Sequence, residues 1–175
     1  MEFNSMSIFF ISDLHLNHTN IIKYCKRPFK DVREMNHAIV ERWNSVVKKG
    51  DTVFHIGDFC KRGDPNEFIK QMNGHKIFIK GNHDEELVRH NIRPLTNYFI
   101  FRYASEDIML IHSTEWLPYP WSGAWIISGH HHNNNIELFP LINDWNKTIN
   151  VSAELVDYTP IEVGKLLGMR GKNGQ

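Results

Sequence analysis

The chain has 175 residues, enough for one compact domain and too few for two ordinary ones. Its 41% hydrophobic content excludes a disordered chain, and twenty basic against twenty acidic side chains leave no net charge for bulk capture of nucleic acid or an anionic membrane. No apolar run reaches the roughly 18 residues that span a bilayer, and the short apolar stretch at 8–11 lacks the basic leader and cleavage pattern of a signal peptide.

A second methionine, Met6, stands just ahead of the first strand and is the expected native start, with residues 1–5 expected to be a cloning remnant. The expected single domain runs over 6–168, with 169–175 a Gly-rich, polar, flexible tail. The two cysteines, Cys25 and Cys60, form no C-x-x-C and no zinc-ribbon spacing. So few thiols fit a reduced, cytoplasmic protein. The outlying number is histidine, with 11 in the chain.

In chain order, 8–12 reads as an apolar strand and 20–24 as a short helical stretch that stops before Pro28. Asp31 caps a long helix to about Val47, carrying Val32, Met35, Ile39, Trp43, Val46 and Val47 on one face, with Gly50 ending it. A strand follows at 52–56, then a helix from Pro65 to Met72 closed by Gly74. A strand at 76–79 precedes a short helix at 84–90. Strands at 98–103 and 108–111 pair around the turn at 104–107. Further strands are expected at 125–128, 136–139, 147–151 and 153–156, with a last helix over 161–167. The βα-like first half and β-rich second half predict an α/β (α+β) fold of two packed sheets flanked by helices.

Five of these strands run directly into metal-ligand residues. The ends are Asp13-Leu14-His15, Gly57-Asp58, Gly81-Asn82-His83-Asp84, His112 and Gly129-His130-His131-His132. Ligands gather at the carboxyl ends of strands in α/β sheets, so these clusters are expected to converge. Asp13 and His15 are two apart, as are His130 and His132; in extended backbone each pair shares one face, about 6.6 Å apart. That spacing lets two imidazoles reach two metals about 3.5–4 Å apart. The glycines at 57, 81 and 129 permit tight turns that aim the next side chain inward.

The series Asp13-x-His15, Gly57-Asp58, Gly81-Asn82-His83-Asp84, His112, Gly129-His130-x-His132 resembles the signature of calcineurin-like metallophosphoesterases. The opening run from Phe10 to Ile22, with Arg27-Pro28-Phe29, further resembles a small bacterial and phage subgroup. The resemblance implies a β-sandwich flanked by helices and a two-metal hydrolase. It implies that Asp13, His15, Asp58 and His132 hold one ion and Asp58, Asn82, His112 and His130 the other, with Asp58 bridging through one oxygen to each. A hydroxide bridging the metals is then the nucleophile. It implies His83 as the general acid, with Asp84 either orienting His83 or capping the following helix. Imidazole, carboxylate and amide ligands without thiolate suit two divalent transition metal ions, Mn²⁺, Fe, Zn²⁺ or Ni²⁺.

Around this core, His18 and Asn20 stand where they either line the pocket or cap the first helix, and Arg27 stands where it either clamps a phosphate or lies on the surface. Lys61 and Arg62 read as a solvated loop. Trp116, Tyr119 and Trp121 follow His112 and either stack a nucleobase or pack under a loop. His37, His55, His75 and His90 read as structural, His131 as exposed or backbone-paired, and Cys60 as a small buried group. The expected substrates are small or nucleotide diesters, 2′,3′-cyclic ones included. The same-site alternative is a phosphomonoesterase, and the alternative of another class is a metal-stabilised binding module without turnover. No membrane partner and no stable nucleic-acid complex is expected.

Overall fold

The structure, a computed structural model, describes residues 6–93 and 95–171; residues 1–5 and the tail end 172–175 lie outside the described residues. Two five-stranded sheets face each other. In the first, β1 (Ile8–Ile11), β2 (Thr52–Ile56), β3 (His75–Ile79) and β4 (Leu95–Thr96) run parallel in that order, and β10 (Ile161–Glu162) adds antiparallel to the free side of β1. In the second, the order is β5 (Tyr98–Tyr103), β6 (Glu106–Ile111), β7 (Trp125–Ser128), β9 (Thr148–Asn150) and β8 (Ile142–Asn143). Its outer pairs are antiparallel, while β6, β7 and β9 are parallel and so end on the same side.

Strand alternation sorts the side chains into two cores. Phe10, Phe54, Ile56 and Ile79 face the second sheet and meet Phe101, Ile108, Leu110, Ile127 and Ile149. The neighbours Phe9, Ile11, Val53 and Phe78 face the other way, onto α1 (Thr19–Tyr24), α2 (Val32–Val46), α3 (Asn66–Ile69) and α4 (Glu85–Arg89). Within α2, Met35, Ile39 and Trp43 repeat at the helical period and are all fully buried. Each such burial stabilises the fold by about 1.5–3 kcal/mol. Asp31 caps this helix as expected, accepting from the N–H groups of Arg33 and Glu34 at 3.0 and 2.9 Å. The last helix, α5 (Val163–Leu167), packs Val163, Leu166 and Leu167 into the inter-sheet core.

The two-sheet architecture is the expected one, and the differences are local. The long helix ends at Val47, which is extended, so Gly50 plays no part in the stop. The helix after Pro65 ends at Ile69 rather than Met72. Residues 136–139 are turns, because Asn135 accepts the N–H groups of Leu138 and Phe139, and turn chemistry overrides β propensity. Residues 153–156 form a 3-10 turn: the Ala153 N–H is drawn to Ser12 O, and Leu155 N–H turns back to Ser152 O. In the C-terminal stretch, Arg170 pairs with Glu106 and the Gly171 N–H donates to Asp144.

Candidate metal centre

The carboxyl ends of β1, β2, β3, β6 and β7 meet on one side, where the backbone draws the two sheets together. Ser12 bridges to Ser152 beyond the end of β9, the Asp13 N–H donates to Gly57 O at 2.9 Å, and the His15 N–H donates to Asp58 O at 2.9 Å. The Gly129 N–H donates to His112 O at 3.0 Å. These bonds bring Asp13, His15, Asp58, His112 and His132 into one buried group. Ligand atoms of Asp13, His15 and His132 lie within 4.8 Å of one another, and so do those of Asp13, Asp58 and His112. Asn82 and His130 border it: Asn82 Oδ1 is 3.1 Å from His112 Nε2, and the His130 ring lies 5.1 Å from that of His112.

The backbone that presents these groups is not extended, as the two-residue spacing had suggested. Asp13, His15 and Asn17 alternate through the left-handed region, at φ 56°, 51° and 61°, and Asp58, His130 and His132 adopt it at 61°, 73° and 50°. Each such residue costs about 1–2 kcal/mol. The cost persists because cross-loop hydrogen bonds over-determine the loops, which is the signature of a preorganised site. Only Gly57 among the three motif glycines has positive φ, at 87°. Gly81 and Gly129 serve instead by lacking a side chain: a Cβ there would collide with the Asp58 carboxylate and with Ser12 and Asp13, respectively.

Each imidazole of the group turns the same nitrogen inward. His112 Nδ1–H donates to Ile56 O at 2.9 Å, which leaves Nε2 facing Asp58 Oδ2 at 3.6 Å. His15 Nδ1 pairs with His18 Nδ1 at 3.2 Å, and its Nε2 stands 3.3 Å from the same Asp58 oxygen. His132 Nε2 faces Asp13 Oδ1 at 3.5 Å. Burial disfavours charge on His132, but the Asp13 carboxylate and the bond to Glu154 outweigh it and push its pKa up to about 11. Burial likewise opposes ionisation of Asp13, yet His132, His112 and His15 hold its carboxyl well below the usual range. Asp13 Oδ1 and His15 Nε2 are buried without any hydrogen-bond partner. Buried polar atoms are nearly always satisfied, so an unpaired carboxylate oxygen and imidazole nitrogen turned to one point fit a divalent cation.

A Calcineurin-like phosphoesterase superfamily domain model matches residues 6–139. The chain belongs to that superfamily. It is 39% identical over 160 residues to the uncharacterized protein MJ1445 of Methanocaldococcus jannaschii, covering 89% of this chain and 86% of that protein. It is 34% identical over 80 residues to the Gene 66 protein of Mycobacterium phage L5, covering 43% of this chain and 38% of that protein. The crystal structure of AQ665, a protein of unknown function from Aquifex aeolicus, superposes with a TM-score of 0.71 at 24% identity. That match covers 94% of this chain and all of the other, and it is a likeness of fold. Membership supports hydrolase chemistry and implies divalent metal ions, for which the buried Asp and His side chains offer ligands.

In this calcineurin-like chain several residues stand elsewhere than expected. Arg27 clamps no phosphate: it is buried, donating from Nε and Nη2 to Glu154 at 2.8 and 2.7 Å and from Nη1 and Nη2 to the carbonyls of Leu14 and Asp13. It braces the first ligand loop from behind. Asp84 neither orients His83 nor caps α4 with its side chain. Its buried carboxylate accepts the N–H groups of Asp58, Phe59 and Gly81, at 2.8, 2.8 and 2.7 Å, and ties the second and third ligand loops together. The contact to His83 Nδ1 comes from Lys61 Nζ at 3.0 Å, in the loop expected to be merely solvated. A lysine only donates, so His83 carries its proton on Nε2. Burial, aided by Lys61 and opposed by Asp58, lowers the His83 pKa.

His18 stands against His15 and His83, with ring centroids 5.2 and 6.4 Å away, and burial beside those rings pulls its pKa to about 4. Asn20 is exposed on α1 and makes no bond to the group. His131 stacks on Phe139 at 3.4 Å between centroids. Cys60 is buried, and burial pushes its thiol up to about 12. The residue that sequence reasoning missed is Glu154. Its side chain is almost wholly buried behind His132, whose Nδ1 lies 3.1 Å from both of its oxygens. The Cys25 thiol shares this corner, where Arg27 already supplies Glu154 with its cation.

Proposed function

We propose that the chain is a two-metal phosphodiesterase acting on small or nucleotide diesters. The observation that carries the metal chemistry is that Asp13 Oδ1 and His15 Nε2 are buried without a hydrogen bond, 4.0 Å apart beside Asp58. In this reading Asp13, His15, Asp58 and His132 hold one cation, and Asp58, Asn82, His112 and His130 the other. Asp58 Oδ1 accepts the His83 backbone N–H at 2.8 Å, and Oδ2 faces both His15 and His112, so this carboxylate would be shared between the two cations. Bound cations of this kind polarise phosphoryl oxygens and supply a nucleophile at neutral pH. The chain's own part is to hold the cations with the imidazole and carboxylate groups already turned to one place and to set His83 beside the leaving group. His83 Nε2–H donates to the departing oxygen, and Lys61 holds that tautomer.

The guanidinium of Arg27, expected to clamp a phosphate, is turned away to Glu154 and serves neither ester. The ligand set alone suits diester and monoester alike, and turnover decides between them.

The test is turnover of bis-p-nitrophenyl phosphate, p-nitrophenyl phosphate, and 2′,3′- and 3′,5′-cyclic nucleotides by protein with added Mn²⁺. Diester hydrolysis that stops on chelation and returns with metal supports the reading. Faster hydrolysis of p-nitrophenyl phosphate moves the assignment to a monoesterase. Metal binding without turnover of any of them moves it to a binding module.

A further inference from the structure

The cleft beside the metal group holds, we propose, a nucleobase of the ester stacked on Trp116; this rests on the phosphodiester reading above. The cleft encloses about 670 Å³, within the roughly 300–1,000 Å³ of sites that bury small organic ligands. A phosphate alone needs far less. Two residues join cleft and metal group. Asn82 lines the cleft while its Oδ1 lies 3.1 Å from His112 Nε2. Trp116 lines it too, and its indole lies 5.5 Å from the ring centroids of both His112 and His130. Those two rings lie beside the indole at interplanar angles of 43° and 50°.

The lining is mixed: Lys80, Asn82, Glu85 and Asn97 are exposed polar residues, and three large apolar side chains stand among them. Trp116, Val88 and Tyr98 are 44, 50 and 37% exposed, and all three line this one cleft. Large apolar side chains from α4, β5 and the segment after β6 thus share a wall that no part of the described chain covers. Lys80 and Asn97 add polar groups. Among the described residues the Asn97 amide makes no hydrogen bond, so it can both donate to and accept from a base edge. A half-exposed indole with an amide in the same cleft suits a flat, polar-edged ring better than an aliphatic chain. The other two aromatics of the loop do not share this role equally. Trp121 packs against Met109, Ile111 and Ile126, and Tyr119 meets Tyr98 edge-on at 6.3 Å.

The experiment compares thymidine 5′-p-nitrophenyl phosphate with methyl p-nitrophenyl phosphate on the Mn²⁺-loaded protein. Both release the same phenolate and differ only in the group retained. The thymidine ester is expected to be preferred through KM. Trp116→Ala and, in the same cleft, Tyr98→Ala should each raise its KM roughly five- to a hundredfold, the range for loss of one base-stacking contact. Equal KM for the two esters, or a preference that survives both substitutions, overturns the inference while leaving the hydrolase reading intact. If neither ester is hydrolysed, the phosphodiester reading fails and binding decides the cleft. Calorimetry should then show adenosine 5′-monophosphate binding more tightly than ribose 5-phosphate to the Mn²⁺-loaded protein, with the difference lost in Trp116→Ala. Equal binding of the two overturns the inference.

Discussion

Glu154 receives the His132 Nδ1 at 3.1 Å on one side and the Arg27 guanidinium at 2.7 Å on the other. The carboxylate therefore sets both the tautomer and the ring plane of His132, and the arginine fixes the carboxylate. Outer partners of this kind raise the basicity of a ligating imidazole. Glu154→Gln keeps the shape and removes the charge. It should weaken Mn²⁺ binding about 10- to 100-fold by calorimetry, with the folded spectrum retained. Unaltered affinity would reduce Glu154 to a structural acid.

His83 is the group proposed to stabilise the charge on the leaving oxygen through a hydrogen bond from Nε2–H. His83→Ala should keep its metals by elemental analysis and lose roughly 10²–10⁴ in kcat toward a diester with an alkyl leaving group. The loss should be smaller with p-nitrophenolate, which leaves without help. An undiminished rate with the alkyl ester would remove His83 from the chemistry.

Gly81 is a packing requirement of the site. Its Cβ position falls on the Asp58 carboxylate and backbone N, atoms with no room to retreat. Gly81→Ala should destabilise the fold by about 1–3 kcal/mol in chemical denaturation and reduce metal occupancy. An alanine variant with full stability and full occupancy would show that the loops are looser than their hydrogen bonds indicate.

His55 gives a pH prediction independent of turnover. It is fully buried between Phe59 and Phe78, neither ring nitrogen has a hydrogen-bond partner, and burial lowers its pKa from 6.5 to about 3. Between those values the unfolded chain binds a proton that the folded chain does not. Stability from this group is thus complete above pH 6.5 and is lost as pH falls toward 3. His55→Leu should raise stability at pH 7.5 by about 1–3 kcal/mol, because two unsatisfied polar atoms leave the core. The gain over wild type should widen between pH 6.5 and 4.5 in urea titrations. A gain that stays constant across that range would contradict a neutral, buried imidazole.

The convergence of the ligands was legible in the sequence because each apolar run ends abruptly in Asp, Asn or His, and parallel strands put such ends on one side. The same rule, applied once more, finds Glu154: Thr148–Asn150 runs into Ser152 and Glu154. A β-rich reading of residues 153–156 hid it, since the pull of Ser12 O on the Ala153 N–H is a tertiary contact. Arg27 and Asp84 were placed at the site but given the wrong tasks. Nothing local says that a guanidinium will reach a carboxylate 127 positions away, or that a carboxylate beside His83 will choose three backbone N–H groups instead. The left-handed backbone at Asp13, His15 and His132 was equally unreadable, being imposed by hydrogen bonds between loops rather than by residue type.

Stripped of metal by chelation and titrated with Mn²⁺, the protein should hydrolyse bis-p-nitrophenyl phosphate in proportion to bound metal, levelling off at two ions per chain. Asp58→Asn should lose both the second ion and the rate. A folded wild-type chain that takes up no Mn²⁺, Zn²⁺ or Ni²⁺, or one that hydrolyses the diester equally well after chelation, would contradict a reaction built on Asp13, Asp58 and the imidazoles around them.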